Sequence, residues 1–199
     1  FPNVHEDNYG AGRMAAEHLV KLGHRHFGVL AANPRNEHPH DRVRGVQTVL
    51  REHGIELDAD QVALSEDTRW EISTGYANAA RILERHPETT AIIGLNDAMA
   101  IGAKRRLHEL GRRIPADVSL IGFDDVFFGD STEPENRLGI YTTPALTTLR
   151  MPVDRMGAAA GELLAAMLRD GKTAHANKSM DFDAKLIVRE STGAAPEVG

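Results

Sequence analysis

The feature that most constrains the fold is a regular alternation of short apolar segments with amphipathic helical repeats. Ala11, Ala15, Leu19 and Leu22 recur at spacings of three and four residues, which places them on one face of a predicted helix. The segments "HFGVLAA", "QVALS", "TAIIGL" and "DVSLIGF" follow such helices and are predicted strands. Because "AIIGL" and "SLIGF" are apolar throughout, both faces of their sheet must be covered. We therefore predict an α/β fold with an open parallel sheet flanked by helices.

Composition and charge exclude several classes of protein. The 199 residues are 41% hydrophobic and 26% charged, close to the average for globular proteins. A formal net charge of −6 argues against a nucleic-acid-binding surface on this chain, since such surfaces need clustered lysine and arginine. Without cysteine, disulfides and thiolate metal sites are excluded. No apolar run approaches the ~18 residues of a membrane span, and no secretory signal is visible.

Polar side chains follow two of the predicted strands. Asn96 and Asp97 come directly after "AIIGL", and Asp124 and Asp125 come directly after "SLIGF". Because open α/β sheets hold ligands at the carboxyl ends of their strands, Asn96 and Asp124 are candidate ligand-binding residues. Asp97 is predicted to cap the following helix by accepting from an N–H of its first turn, and Asp125 is predicted to be structural. Alternatively, Asn96 and Asp124 only terminate strands and bond local turns.

Six segments of the chain together carry a family resemblance. They are "EHLVKLGHRHFGVL", "DRVRGVQTVLREHGIEL", "STGYANAARILE", "AIIGLNDAMAIGAKRRLHELGRRIPADVSLIGFDD", "PALTTLRMPVDRMGAAAGELL" and "LIVREST". In this order, from about His5 to about Thr192, they resemble the ligand-binding core of LacI/GalR-family transcriptional regulators. The resemblance implies a periplasmic-binding-protein-like type I fold, in which two Rossmann-like α/β subdomains joined by three crossover strands hold an effector between them. The helix-turn-helix, the hinge helix and most of the first subdomain have no counterpart here, so that subdomain is expected to be largely missing.

The same resemblance implies a domain organisation. Residues 8–141 are expected to form the main part of the C-terminal effector-binding subdomain, and residues 142–175 the crossover strand and helix that belong to the N-terminal subdomain. Residues 176–192 are expected to return as a strand to the C-terminal subdomain, and residues 193–199 to form a disordered tail. The apolar stripe of the crossover helix is expected to lack its sheet, and the helix is expected either to pack against another chain or to be poorly ordered. Its members are Val153, Met156, Ala160, Leu163 and Met167.

Four residues match positions that line the effector cleft in the family. Arg42 in "RVRGV" matches an arginine at a helix start, where a guanidinium offers a planar fork of donors. Asn96 matches an amide that donates and accepts, and Asp124 matches a carboxylate that accepts from ligand hydroxyls. Trp70 lies where the family often places an aromatic ring against the flat face of the ligand. Two alternatives remain open: Arg42 as a solvated member of a charge run, and Trp70 as a core anchor.

Two further segments are less informative. His38 and His40 form an H-x-H pattern, for which an ordinary surface loop is favoured over a metal site. The segment Asp130 to Leu138 makes the link between the strand that ends at Asp124 and the following crossover strand longer than is usual in the family. The preceding Phe127 and Phe128 either line the cleft or meet a partner.

The resemblance implies the effector-sensing core of a LacI-type DNA-binding transcriptional regulator, a repressor, and not an enzyme. The effector is expected to be a sugar or sugar derivative, bound without cofactor or metal, and to act allosterically. The expected partners are operator DNA, through a head outside this chain, and a second copy in a cytoplasmic homodimer, with no membrane. A periplasmic sugar-binding transport protein and a purine-sensing regulator remain as alternatives. An enzyme is disfavoured because the chain has no nucleophile elbow, P-loop or dinucleotide fingerprint.

Overall fold

The computed structural model describes residues 2–32, 38–65, 70–127, 136–171, 175 and 177–197. The strands are β1 (Asn3–Glu6), β2 (Phe27–Ala32), β3 (Val62–Ser65), β4 (Ala91–Gly94), β5 (Ser119–Asp124), β6 (Thr147–Arg150), β7 (Ser179–Phe182) and β8 (Lys185–Ile187). The helices are α1 (Asn8–Lys21), α2 (His38–Glu52), α3 (Ile72–Arg85), α4 (Asp97–Glu109) and α5 (Val153–Asp170), with short 3-10 turns at Ala59–Gln61 and Leu138–Tyr141.

The main sheet of the described chain has the strand order β3-β2-β4-β5-β6-β8. All its neighbours pair in parallel except β8, which is antiparallel to β6. Helices α1 and α2 pack together, as do α3 and α4. The predicted α/β fold, with a mostly parallel sheet flanked by helices, is confirmed.

Two apolar cores lie on opposite faces of this sheet because successive side chains of a strand point in opposite directions. Ile93 and Ile121 join α1 and α2 in one core, and their neighbours Ile92 and Leu120 join α3 and α4 in the other. All four side chains are fully buried. Strands that are apolar on both faces therefore have both faces covered, as the sequence predicts.

A small second sheet lies apart from the main one. It consists of β1 and β7, which pair in parallel, and α5 packs against β1. We refer to β1, β7 and α5 as the small unit, and to the main sheet with α1–α4 as the main body. The chain passes between them three times within the described residues, at Asp7, at residues 151–152 and at residues 183–184. Each link is therefore one or two residues long.

Helix α5 keeps most of its apolar surface exposed. Leu163 is its one buried side chain, whereas Leu164 and Leu168 are 59% and 77% exposed. In the predicted stripe, Val153 is exposed and Met156 and Met167 are partly buried. No complete sheet of the described chain covers this helix, which is the condition under which a partner was expected.

The C-terminal segment differs from the sequence prediction in two respects. The single return strand expected over residues 176–192 is two strands, with β7 in the small unit and β8 in the main sheet. The expected disordered tail is bonded to the main body at two residues: Ala195 N donates to Leu22 O at 2.8 Å, and Gly193 O accepts from the buried His24 ring at 3.1 Å. Composition alone did not reveal these specific backbone partners.

Within the part of the chain that the structure describes, none of the helices combines the length and apolar character needed to span a bilayer.

Candidate functional site

The four residues expected to line a cleft lie around one cavity of about 450 Å³, where the carboxyl edge of the main sheet faces the small unit. The main body contributes Asn8, Arg42, Trp70, Leu95, Asn96 and Asp124, and the small unit contributes Val4, His5, Glu6 and Met156. A volume in this range is typical of small-molecule sites. The structure thus brings all four predicted residues together.

Arg42 lies at the centre of the polar wall, in the first turns of α2. Its Nε donates to Asn8 Oδ1 at 2.7 Å, and its Nη1 donates to Leu95 O at 2.6 Å. Its Nη2 donates to Glu6 Oε2 at 3.2 Å, so the guanidinium connects the main body to the small unit. The side chain is only 12% exposed, which excludes the alternative of a solvated charge run.

Asp124 ends β5 and turns its carboxylate toward the cavity. Its Oδ1 is 3.6 Å from Arg42 Nη1, and the side chain is 39% exposed. Burial raises the pKa of this carboxyl above its ordinary value, and Glu6 adds to the rise, while Arg42 opposes it. Asp124 and Asp125 both have positive φ, at 97° and 51°. This uncommon backbone turn directs one carboxylate to the cavity and the next into the interior.

Asn96 has a structural role in addition to its place at the cavity. Its Oδ1 accepts from Met99 N at 2.7 Å, so Asn96 is the N-cap of α4, and its Nδ2 donates to Trp70 O at 3.0 Å. The prediction that Asp97 caps α4 is therefore wrong. The cap position is occupied by Asn96, and Asp97 is already the first residue of the helix. The bond to Met99 N fits the alternative in which Asn96 only bonds local turns, whereas the bond to Trp70 O and the place of Asn96 at the cavity go beyond it.

Asp97 is instead a fully buried carboxylate between three elements. Its Oδ1 accepts from the Thr148 hydroxyl at 2.6 Å, and its Oδ2 accepts from Val126 N at 3.1 Å. Burial raises the pKa of Asp97 to about 7, with Asp124 and Asp125 adding to the rise. A Cβ at position 122 would lie 2.3 Å from Asp97 Oδ1, so glycine is required there.

Trp70 is partly buried and packs at the edge of both apolar cores. It therefore combines the two roles that the sequence left open, core contact and cavity wall.

Asp125 is structural, as predicted. Its buried carboxylate accepts from Arg150 and from Arg189, at 2.7 Å in each case. Arg137 Nη1 donates to the Asp125 carbonyl, and the Arg137 guanidinium stacks on the Phe127 ring. The cluster thereby fastens β5 to β6 and to the segment after β8.

Some predicted features lie outside the described residues. They are the side chains of His38 and His40, Phe128, and residues 130–135 of the extra segment. No group of three or more His, Asp or Glu side chains that could hold a metal occurs in the part that is described.

Glu6 and Asn8 were missed as cavity residues. A signal was present in the polar run "EDN", which spans the end of β1 and the start of α1, much as "ND" stands at the start of α4 after β4.

Residues 16–192 match the family model described as periplasmic binding protein-like domain. The transcriptional regulator MalR of Streptomyces coelicolor is 34% identical over 197 residues, which cover 98% of this chain and 53% of MalR. The regulator GalR of Salmonella typhimurium is 32% identical over 98% of this chain and 52% of its own length. The solved complex of the transcriptional regulator CelR with cellobiose has a TM-score of 0.81 and 29% identity, over 96% of this chain and 54% of CelR. The chain thus spans about half the length of the curated relatives that it matches.

Proposed function

The chain belongs to the periplasmic binding protein-like domain family, and on that premise we propose that it is the effector-sensing core of a LacI-type transcriptional regulator. The curated relatives are transcriptional regulators aligned over this region, which supports a regulator over a transport protein or an enzyme. The effector is a sugar or sugar derivative, in line with the complex of CelR with cellobiose.

The observation that carries the proposal is the meeting of Arg42, Trp70, Asn96 and Asp124 around one cavity. Asp124 accepts hydrogen bonds from sugar hydroxyls, and the remaining amide proton of Asn96 is a donor. The Trp70 ring covers the C–H face of a pyranose. Arg42 holds the polar wall in place through its three bonded partners.

In the whole protein, the effector contacts both the main body and the small unit and changes their relative orientation. That change alters operator binding by DNA-reading heads in a cytoplasmic homodimer, with the protein acting as a repressor. The coupling free energy between effector and operator is expected to be roughly 1–3 kcal/mol, as is usual for allosteric proteins.

The test is a titration of the full-length protein with maltose, galactose, cellobiose and ribose, and with nucleobases, followed by thermal shift, because a ligand that binds only the native state raises its stability. At least one sugar is expected to stabilise the protein and to change its operator affinity. Asp124→Asn should abolish the response, whereas Glu52→Gln, an exposed position on α2, should retain it. If no sugar stabilises the protein but a nucleobase does, the sugar assignment is wrong.

A further inference from the structure

We propose that this cleft selects an effector without negative charge, and that Glu6 is the residue that sets this selectivity. The proposal rests on the proposed function of the same cavity, and it concerns the charge class of the effector. An uncharged or positively charged polyhydroxyl compound fits the site, and a phosphorylated or carboxylated one does not.

The first argument is the balance of charge at the polar wall. Arg42 lies between two carboxylates, with Nη2 at 3.2 Å from Glu6 Oε2 and Nη1 at 3.6 Å from Asp124 Oδ1. These three side chains together carry one excess negative charge when both acids are ionised. An anion that enters the cavity therefore meets a wall of its own sign.

The second argument is that Arg42 has few donors left for a ligand. Its Nε is used by Asn8, its Nη1 by Leu95 O, and its Nη2 by Glu6. An arginine that recognises phosphate or carboxylate does so by presenting its planar fork of two parallel N–H groups. Here that fork is engaged by the protein, so Arg42 is held as a structural cation.

The third argument is which groups face the cavity. The side chains of Glu6 and Asp124 are 27% and 39% exposed, whereas that of Arg42 is only 12% exposed. An ionised carboxylate accepts hydrogen bonds and donates none, so it recognises hydroxyl or ammonium groups. The accessible charge at this wall is therefore the negative charge of the Glu6 and Asp124 carboxylates.

Other described residues of the cavity do not reverse this sign. Asn8, Asn96, Trp70, Val4, Leu95 and Met156 are uncharged, and His5 is engaged by Asp181 at 2.9 Å and by Ser179 at 3.1 Å. By sequence, the segments 33–37 and 66–69 that the structure does not describe contain three acidic and two basic residues. They bring no excess of positive charge to the chain.

Glu6 is the selectivity residue because Arg42 and Asp124 without it would carry no net charge. It comes from β1 in the small unit, whereas Arg42 and Asp124 come from the main body. Replacing Glu6 by glutamine keeps an oxygen that accepts from Arg42 but removes one negative charge. The guanidinium then has a single counter-charge, Asp124, and the barrier to an anion is lowered.

The experiment uses matched sugars that differ by one phosphate: galactose with galactose 6-phosphate, and ribose with ribose 5-phosphate. Affinities for the full-length protein are measured by calorimetry in the wild type, in Glu6→Gln and in Glu52→Gln. Glu52→Gln is the control because it makes the same change of charge on the helix of Arg42, about 15 Å along its axis. Inorganic phosphate is titrated into the same proteins as a probe that does not depend on the sugar.

The wild type is expected to bind the neutral member of a pair and to reject its phosphate. Glu6→Gln should raise the ratio of phosphorylated to neutral affinity by about tenfold or more, equivalent to about 1.4 kcal/mol. Glu52→Gln should leave the ratio unchanged. Glu6→Gln should also gain binding of inorganic phosphate, and this gain should vanish in the double variant Glu6→Gln/Arg42→Met, because it depends on the positive charge of Arg42.

A wild-type protein that binds a phosphorylated sugar more tightly than its neutral partner would overturn the charge selectivity. An equal loss of both affinities in Glu6→Gln would show that Glu6 only maintains the structure. If no sugar binds the wild type, the proposed function fails, and the phosphate titration still decides the role of Glu6. The absence of any gain in Glu6→Gln contradicts that role.

Discussion

Asp97 has a structural role that its position in the sequence motif does not indicate. Asp97 follows Asn96 in sequence, yet the Asn96 side chain lines the cavity while the Asp97 side chain is enclosed with Thr148 and Val126. The order of the two residues relative to the start of α4 decides which becomes the cap. A helix boundary that differs by one residue from the sequence prediction therefore gives the cap to Asn96 and leaves Asp97 in the interior.

We predict that Asp97 makes stability depend on pH in a direction opposite to that of an ordinary ion-paired aspartate. Because burial raises its pKa to about 7 in the folded chain, the protonated form is favoured by folding. Its stabilising contribution is complete below about pH 4 and is lost as the pH rises through about 7. The free energy of unfolding of the wild type, minus that of Asp97→Asn, should fall by roughly 2–4 kcal/mol between pH 4 and pH 8.

Urea denaturation of both proteins across this range measures the difference, and subtraction cancels groups common to both. One such group is Asp117, whose pKa Arg113 lowers to about 2. A difference that stays flat with pH would mean that Asp97 is ionised throughout.

A second prediction at the residue scale concerns Asp125, whose buried carboxylate is bonded to Arg150 and Arg189. Asp125→Ala leaves these guanidinium groups without their counter-charge and should cost about 3–5 kcal/mol of unfolding free energy. Asp41→Ala, which breaks the exposed pair with Arg44, should cost less than about 1 kcal/mol. Similar losses in the two variants, measured by denaturation, would contradict the assigned role of the cluster.

The candidate site could be predicted in part because residue types at strand ends are constrained by the sheet. Asn96 and Asp124 follow strands whose apolar character is plain, and their place at one edge follows from parallel pairing. Arg42 and Trp70 were identified only through the family resemblance. Glu6 was missed because β1 has no apolar run: its four residues are exposed or half-buried, and its partner β7 is more than 170 residues away in sequence.

At the scale of elements, the helices, including α5, and the inner strands were predictable, whereas the two strands of the small unit, β1 and β7, were not. Strands β2, β4 and β5 are buried on both faces and helices α1–α4 end close to the predicted glycines or proline, so local periodicity was sufficient. Gly23, Gly54 and Gly111 indeed have positive φ after α1, α2 and α4. Short strands such as β7 and β8 are stabilised by pairing with distant segments, and local patterns carry little of that information.

The cap of α4 gives a prediction for an element. Asn96→Ala removes the acceptor of the Met99 N–H and should cost about 0.5–2 kcal/mol, whereas Asn96→Asp retains the cap and should cost less. Both changes remove the amide donor to Trp70 O. If thermal or chemical denaturation shows equal losses for the two variants, the bond to Trp70 rather than the cap is the stabilising one.

The exposed face of α5 gives a second prediction at this scale. Leu164 and Leu168 are exposed, so replacing both by glutamate should change the stability of this 199-residue chain by less than about 1 kcal/mol. In the full-length protein the same changes should be strongly destabilising, since the face is expected to be covered there. Equal, small effects in both proteins would show that α5 remains uncovered.

At the scale of the whole molecule, the net charge of −6 leads to a prediction about DNA. This chain alone should not retard operator DNA in a gel, since nonspecific attraction to phosphates requires clustered positive charge. The full-length regulator should retard it, and the effector should change the affinity. Specific retardation by the 199-residue chain would overturn the assignment of DNA binding to a separate head.

The three short links between the small unit and the main body have a mechanical consequence. Two bodies joined by a single flexible link can swivel freely, whereas three links of one or two residues leave little besides a limited bending. We therefore expect the free cleft to sample few arrangements, so that binding of the proposed effector removes little conformational freedom. Little of the binding free energy is then lost to ordering the two bodies. Any change in their relative orientation on binding should have a defined axis and a small amplitude.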